Sequence, residues 1–339
     1  MKGFSIIIVT WNALEHLKRF LPSVSETDYP NFEIIIADNA SDDGSKKWIR
    51  SNFPHVKIVS LDQNYGYCGG NNRAAPFASK EILLFLNNDV EVDKNWLYDI
   101  NKAFDHESVA AVQPKMRAYQ QKNRFEYAGA AGGYIDNYGF PFCRGRVFDT
   151  IEEDLGQYDS KVDLFWASGA ALAIRSELFT DCGGFDVDFE FHMEEIDLCW
   201  RLQNQGYKIR YAPESIVYHL GGGSLPMDSP RKVYYNFRNS LFMLWKNYST
   251  LSLFTRFPIR LILDTIAAWK ALFEGKPKEW LAVAKAQFHF IKGLLKVHRK
   301  RKKLQKKRIA NHDPSTMINL SIVWQYFIKG IDRFDDLNS

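Results

Sequence analysis

Three of the apolar runs in the first ninety residues are followed by short polar stretches rich in groups that can do chemistry. Thr10-Trp11-Asn12 follows the first run, and Asp38-Asn39-Ala40-Ser41-Asp42-Asp43-Gly44 follows the second. Asn87-Asn88-Asp89-Val90-Glu91 follows a later one, and Asn64-Tyr65-Gly66-Tyr67-Cys68-Gly69-Gly70-Asn71-Asn72 lies between. Together these types suit a nucleotide pocket. An indole such as Trp11 can stack on a base, and a carboxylate such as Asp38 can accept a hydrogen bond from a base imide. The glycines at 66–70 let backbone approach a ligand and precede an expected helix N-terminus, where anions are favoured. Their spacing is not that of a dinucleotide fingerprint. Asp89 and Glu91, two apart at a strand end, can offer oxygen ligands to Mg2+ or Mn2+.

Those groups need a scaffold that gathers them. Apolar runs predict strands over 4–11, 32–38, 56–61, 81–87 and 109–114. Helical stretches are expected over 14–25, 44–52, 70–78 and 95–105. Ile, Leu and Val fill the strands as they do when helices cover both faces of a sheet. The alternation predicts an open α/β sheet with right-handed crossovers, whose ligands bind beyond the carboxyl ends of the strands. Further on, 164–175 reads as a strand, 190–205 as a helix stopped by Gly206, and 208–212 as a strand before Pro213.

Simpler readings compete with each motif. Asp38–Gly44 is also a good turn and helix cap, Trp11 a good core residue, and a lone acid-x-acid pair is common. Glu194, Glu195 and Asp197 would suit the first turn of any helix, and Asp197 can pair with Arg201 four residues on. The conjunction at successive strand ends is what favours a site.

Bulk properties are those of a globular chain: 339 residues, 46% hydrophobic, 25% charged, net charge +4. Cys68, Cys143, Cys182 and Cys199 show no CxxC or zinc spacing and read as reduced thiols. The opening apolar run is too short to span a membrane and lacks a cleavage site, so a cytoplasmic location is expected.

The ordered motifs resemble the family 2 glycosyltransferases, and within them the bacterial rhamnosyltransferase-like members. The blocks already quoted take part, joined by Trp166-Ala167-Ser168-Gly169-Ala170, by Glu194-Glu195-Ile196-Asp197-Leu198-Cys199-Trp200-Arg201, by Gly206-Tyr207 and by His219. The resemblance covers roughly residues 3–245. It implies a GT-A fold, a Rossmann-like open mixed sheet flanked by helices. It implies a nucleoside-diphosphate sugar donor contacted by Thr10, Trp11, Asn12, Asp38, Asn72 and Asn88, with Trp11 and Asp38 on the base. Mn2+ or Mg2+ is expected on Asp89; the usual DxD is altered here, leaving Glu91 as a second ligand or a neighbour. His219 is expected as a metal ligand from its place downstream of the acidic pair, and Gly221-Gly222-Gly223 after it as a loop closing over the donor. Matched position by position, Glu195 is the base of an inverting transfer, with Glu194 the alternative. Trp166 and Gly169 are expected near the acceptor, with packing the other role for Trp166.

The catalytic region is expected to span 1–248, with a donor half to about 115 and an acceptor half from about 116. A helical, basic, amphipathic extension is expected over 249–339. There Ile259, Ile262, Leu263, Ile266, Trp269 and Phe273 share one face, and Leu281, Ala284, Phe288, Ile291 and Leu295 another. A basic run follows: Lys296, Arg299, Lys300, Arg301, Lys302, Lys303, Lys306, Lys307 and Arg308. These helices either pack on the catalytic region or on a second copy in a homo-oligomer, or lie on a membrane surface with the basic run on anionic headgroups. No recognition motif supports nucleic acid. The expected reaction is sugar transfer to a glycan or lipid-linked acceptor in cell-surface polysaccharide synthesis. Sugar nucleotidyl transfer would want a glycine-rich loop with Arg or Lys after strand one, and a non-catalytic nucleotide-sugar scaffold would not need the acidic pair.

Overall fold

The computed structural model describes residues 1–221 and 229–338. The first half alternates strand and helix: β1 (Phe4–Thr10), α1 (Leu14–Ser25), β2 (Phe32–Asp38), α2 (Ser45–Asn52), β3 (Lys57–Ser60), α3 (Gly66–Ala74), β4 (Ile82–Leu86), β5 (Val90–Val92), α4 (Trp96–Ala103) and β6 (Val109–Ala118). A meander of β7 (Gly133–Ile135), β8 (Pro141–Cys143), β9 (Arg146–Val147) and β10 (Thr150–Ile151) follows. Then come β11 (Asp163–Leu164), β12 (Ala171–Arg175), α5 (Ser176–Asp181), α6 (Glu194–Asn204) and β13 (Lys208–His219). The chain ends in α7 (Pro230–Asn247), α8 (Thr250–Thr255), α9 (Phe257–Phe273), α10 (Pro277–Gln305) and α11 (Ile322–Phe327).

Among the described residues the main sheet has nine strands, ordered β11-β13-β6-β12-β4-β1-β2-β3 with β5 against β13, and the meander forms a separate four-stranded sheet. Strands β4, β1, β2 and β3 are parallel, and β12 is antiparallel to both neighbours. The inner strands β1 and β4 are buried on both faces because α1, with Leu17, Phe20, Leu21 and Val24 inward, and its fellows cover them. Register puts Thr10 opposite Asp38 and Asp38 opposite Ser60, so these strands end together. Order reverses between β1 and β4, which opens a crevice where Trp11–Asn12 and Asn87–Asn88 leave the sheet.

Four sequence expectations change. The helix expected from Gly70 starts at Gly66, so the glycines lie within its first turns rather than before it. The expected strand 164–175 is broken at 165–170, because Trp166 turns into the core. Helix α6 starts at Glu194, four residues later than expected. Strand β13 runs through Pro213 to His219, since a register shift between Ala212 and Ile216 accommodates a residue without an N–H.

The C-terminal helices return to the catalytic region. Arg301 donates to the Trp245 and Tyr248 carbonyls at 2.9 and 2.6 Å, satisfying the open end of α7. The Ile318 N–H meets the Ile135 carbonyl at 2.9 Å, and Ile322 N–H meets Asp136 at 2.9 Å, tying the tail to the meander.

Candidate active site

The end expected to face the donor is one tied surface. Asn12, left-handed at φ 47°, donates its N–H to Ser41 Oγ at 3.0 Å and accepts from the Asp42 N–H at 3.0 Å. The Asn88 amide reaches Thr10 Oγ1 at 3.4 Å. Trp11 stands 54% exposed beyond this tie, an unusual setting for an indole and a suitable one for a flat partner. Asp38 is fully buried; its oxygens lie 3.3 and 3.4 Å from the Ser41 N–H and one lies 3.4 Å from Lys46 Nζ. Asn72 is engaged elsewhere: its amide bonds both the Phe185 carbonyl (2.7 Å) and N–H (2.9 Å), holding the segment that leads toward α6.

Asp89 and His219 meet because β5 pairs with β13, placing Val90 opposite His219. Asp89 Oδ1 lies 3.2 Å from His219 Nε2. The other ring nitrogen, Nδ1, lies 3.3 Å from Glu126 Oε1 and has no hydrogen bond of good geometry. Burial works against the Asp89 anion, but the hydrogen bond and charge of His219 outweigh it and hold the carboxyl below its ordinary range. Burial likewise opposes the imidazolium, yet Glu126 and Asp89 together push His219 up to about 10. Glu91 is turned away to pair with Lys122. Glu126 was not anticipated: it follows β6 in a stretch without motif, and only the fold brings it to His219. Among the described residues no three acidic, cysteine or histidine groups are arranged to hold a metal ion. Once a metal ion displaces the His219 proton, Asp89 and His219 would supply a hard oxygen and an imidazole nitrogen, a pair that fits Mn2+ with the remaining positions left to a ligand. Gly222 and Gly223 of the expected closing loop lie outside the described residues.

The end expected to face the acceptor is built at the start of α6. His192 and Met193 are both left-handed (φ 65° and 73°), a conformation that costs non-glycine residues of order 1–3 kcal/mol each. Asn239 of α7 holds them, donating to the Phe191 and His192 carbonyls at 2.6 and 3.0 Å. The turn delivers Glu194 and Glu195 inward, and each keeps one buried carboxyl oxygen without a hydrogen-bond partner. Burial and the neighbouring Glu195 raise Glu194 well above its ordinary value. Burial raises Glu195 to about 7 against the pull of the Glu195 and Ile196 backbone N–H groups.

Gly169 lies beneath this pair. A Cβ there would sit 3.1 Å from the Tyr67 hydroxyl and 3.7 Å from Glu195 Cβ. Tyr67, a second residue given no role beforehand, donates to the Gly169 carbonyl at 2.6 Å. The next residue, Ala170, accepts from the Asn87 N–H at 3.0 Å, so one stretch links the Asp89 strand end to the glutamates. Trp166 takes the packing role: it is 3% exposed, covers Gly133 where a Cβ would collide, and gives its N–H to the Tyr134 carbonyl at 2.8 Å. Asp197 pairs with Arg201 as its spacing predicts, but in the core rather than on the helix surface. It also binds Lys246 Nζ (2.9 Å) and Asn247 Nδ2 (2.8 Å).

The chain matches the family described as "Glycosyl transferase family 2" over residues 5–154 and "Glycosyl transferase family group 2" over residues 82–272. It belongs to the family 2 glycosyltransferases. Relatives of this family 2 glycosyltransferase include bacterial rhamnosyltransferases. An N-acetylglucosaminyl-diphospho-decaprenol L-rhamnosyltransferase of Mycobacterium tuberculosis is 26% identical, with 66% of this chain and 78% of that one covered. Rhamnosyltransferase WbbL of Escherichia coli is 25% identical over 63% and 82%. The match to the O-antigen biosynthesis protein RfbC of Myxococcus xanthus, 28% identical over 66% of this chain, spans only 18% of that protein. A second relative, from Sinorhizobium fredii, is spanned over 26% of its length.

Solved structures share the GT-A fold. S. aureus TarS 1–349 in complex with UDP-GlcNAc superposes with TM-score 0.56 and 17% identity, covering 91% of this chain and 89% of that one. GalNAc-T7 with UDP, GalNAc and Mn2+ gives 0.56 and 16% over 74% and 49%. The C-terminal helices are part of the first superposition.

Proposed function

We propose that this chain transfers a sugar, with inversion, from a nucleoside-diphosphate donor to a glycan or lipid-linked acceptor in polysaccharide synthesis. The observation that carries this is the pair of buried, incompletely bonded carboxyls at the start of α6, one poised near neutrality, in a fold whose crevice suits a nucleotide. A group with its pKa near the working pH is suited to proton transfer. The acceptor hydroxyl attacks the anomeric carbon as its proton passes to a Glu195 carboxylate oxygen. The bond from that carbon to the diphosphate breaks, and its electron pair leaves with the phosphate. Burial and the neighbouring Glu195 favour the neutral form of Glu194, which then does not repel the Glu195 anion. Tyr67 and Gly169 keep the space beneath the pair small.

On the donor side, Trp11 stacks on the base, the buried Asp38 holds the Ser41 turn beneath it, and Thr10, Asn12 and Asn88 shape the crevice floor. A Mn2+ or Mg2+ held by Asp89 and His219 would neutralise charge on the leaving diphosphate. Glu126 orients the His219 ring, and Glu91, paired with Lys122, stands outside that set. Relatives named as rhamnosyltransferases support a deoxyhexose among the donors to try first.

The test is nucleoside-diphosphate release from UDP-, dTDP- and GDP-sugars, with and without Mn2+ or Mg2+, on lipid-linked glycan acceptors, with Glu195→Gln as control. Metal-dependent release with one donor, lost in the control, is expected, and the anomeric proton coupling of the product reads inversion. Release that survives Glu195→Gln would move the base elsewhere. Nucleotide binding without transfer to any acceptor would favour a scaffold.

A further inference from the structure

The two long C-terminal helices, α9 and α10, carry apolar residues on the face they bury and again on the face they expose. On α9 the buried face carries Phe257, two alanines and the Arg260–Asp264 ion pair at 2.7 Å. The large residues Ile262, Ile266 and Phe273 point outward, Phe273 being 85% exposed. On α10 the buried face carries Ala282, Val283, Ala286, Phe290 and Val297, yet Phe288, Ile291 and Leu295 are exposed, Leu295 by 77%. An amphipathic helix on a globular protein buries its apolar stripe. Here both helices, packed against each other, expose one, and contiguous apolar surface of this kind marks an interaction site.

Charge selects the occupant. Lys278, Lys285 and Lys292 are exposed on α10, which has one acidic residue, Glu279. The basic run is divided. Lys296 and Lys300 pair with Asp186 and Asp188, and Arg301, Lys307 and Arg308 bind backbone carbonyls. Arg299, Lys302, Lys303 and Lys306 remain exposed. An apolar stripe flanked by lysines fits the headgroup boundary of an anionic bilayer. No helix among the described residues is long and apolar enough to cross one. Position agrees: the Asp186–Asp188 segment clamped by α10 leads into the turn that delivers Glu194 and Glu195.

We propose that the exposed face of α9 and α10 docks on an anionic lipid bilayer and brings the acceptor end of the site to the membrane surface. This deepens the transfer reading, in which the acceptor can be lipid-linked, and its test reads binding without donor, metal or acceptor, so the two fail separately. The full chain is floated with phosphatidylcholine vesicles and with vesicles containing phosphatidylglycerol. Binding is expected to the second and weak with the first. Lys285→Glu with Lys292→Glu, which loses the Lys285 contact with the Tyr234 ring but alters no buried side chain, is expected to weaken it by about fivefold per lysine removed. Ile266→Asp with Phe288→Asp is expected to abolish it, with nucleotide binding unchanged as the check on folding. Equal binding to both vesicles with no lysine effect would overturn the electrostatic part. No vesicle binding, or a solution dimer that the aspartate variants split, would overturn the proposal in favour of a second copy of this chain.

Discussion

Two pairs of acidic groups lie at the two ends of the proposed site, and their surroundings drive them in opposite directions. At the donor end Asp89 and Glu126 flank one histidine, and the positive ring holds Asp89 ionised despite burial. At the acceptor end Glu194 and Glu195 are buried without a cation, so burial wins and Glu195 rises to about 7. The residue types are nearly the same; the difference is a partner. A paired carboxylate is a fixed anion, suited to holding a cation. An unpaired one exchanges its proton near neutrality, suited to base catalysis.

Replacing the unpaired group should have the largest effect. Glu195→Gln is expected to lower kcat by about 10²- to 10⁴-fold, the usual worth of a positioned base, with donor KM little changed. If Glu194→Gln loses more in the same steady-state assay, the two glutamates exchange roles. Removing support from the paired group should do less: Glu126→Gln is expected to weaken Mn2+ affinity by about 10- to 100-fold, read by metal titration. An unchanged titration would detach Glu126 from the donor end. Trp11→Ala should raise donor KM and spare kcat, since lost base stacking costs about 1–3 kcal/mol.

Stability gives the comparison a test that needs no substrate. Glu195 keeps its proton in the folded chain to about pH 7, whereas its ordinary value is 4.5. Folding therefore holds an extra proton between those values, and this contribution is complete below pH 4.5 and lost as pH rises through about 7. Glu195→Gln should then raise Tm by a few degrees at pH 8 and hardly at all at pH 4.5, a stabilisation bought with activity. The same protonation predicts that kcat falls tenfold per pH unit below about 7. A Tm gain equal at both pH values would mean that Glu195 is not buried as an acid. The smallest effect is expected from Glu91→Gln: its pair with Lys122 is partly exposed, and stability should change by less than about 1 kcal/mol with activity kept.

Much of the donor half was legible in the sequence because its signals are local. Runs of Ile and Leu gave β1 to β4, helix α1 and strand β2 match their expected bounds, and parallel strands ending together put Thr10, Asp38 and Asn87 on one edge. Local reading failed where a residue's partner is distant. Trp166 sits in a run that alternates like a strand, yet its ring turns in over Gly133. The helix of the glutamates looks four residues longer in sequence, but Asn239, far along the chain, holds His192 and Met193 left-handed and delays its start.

The sequence by itself determined the family, the α/β alternation and the residue types available to the site, because strand periodicity and motif order are written in neighbouring positions. Only the tertiary structure decided which acid is charged. Asp89 meets His219 through strand pairing across 130 residues, Glu126 joins from a loop without signature, and Lys246 is committed to Asp197 and Asp186 in the core. Protonation depends on burial and on partners brought together by folding, and neither can be read from spacing along the chain.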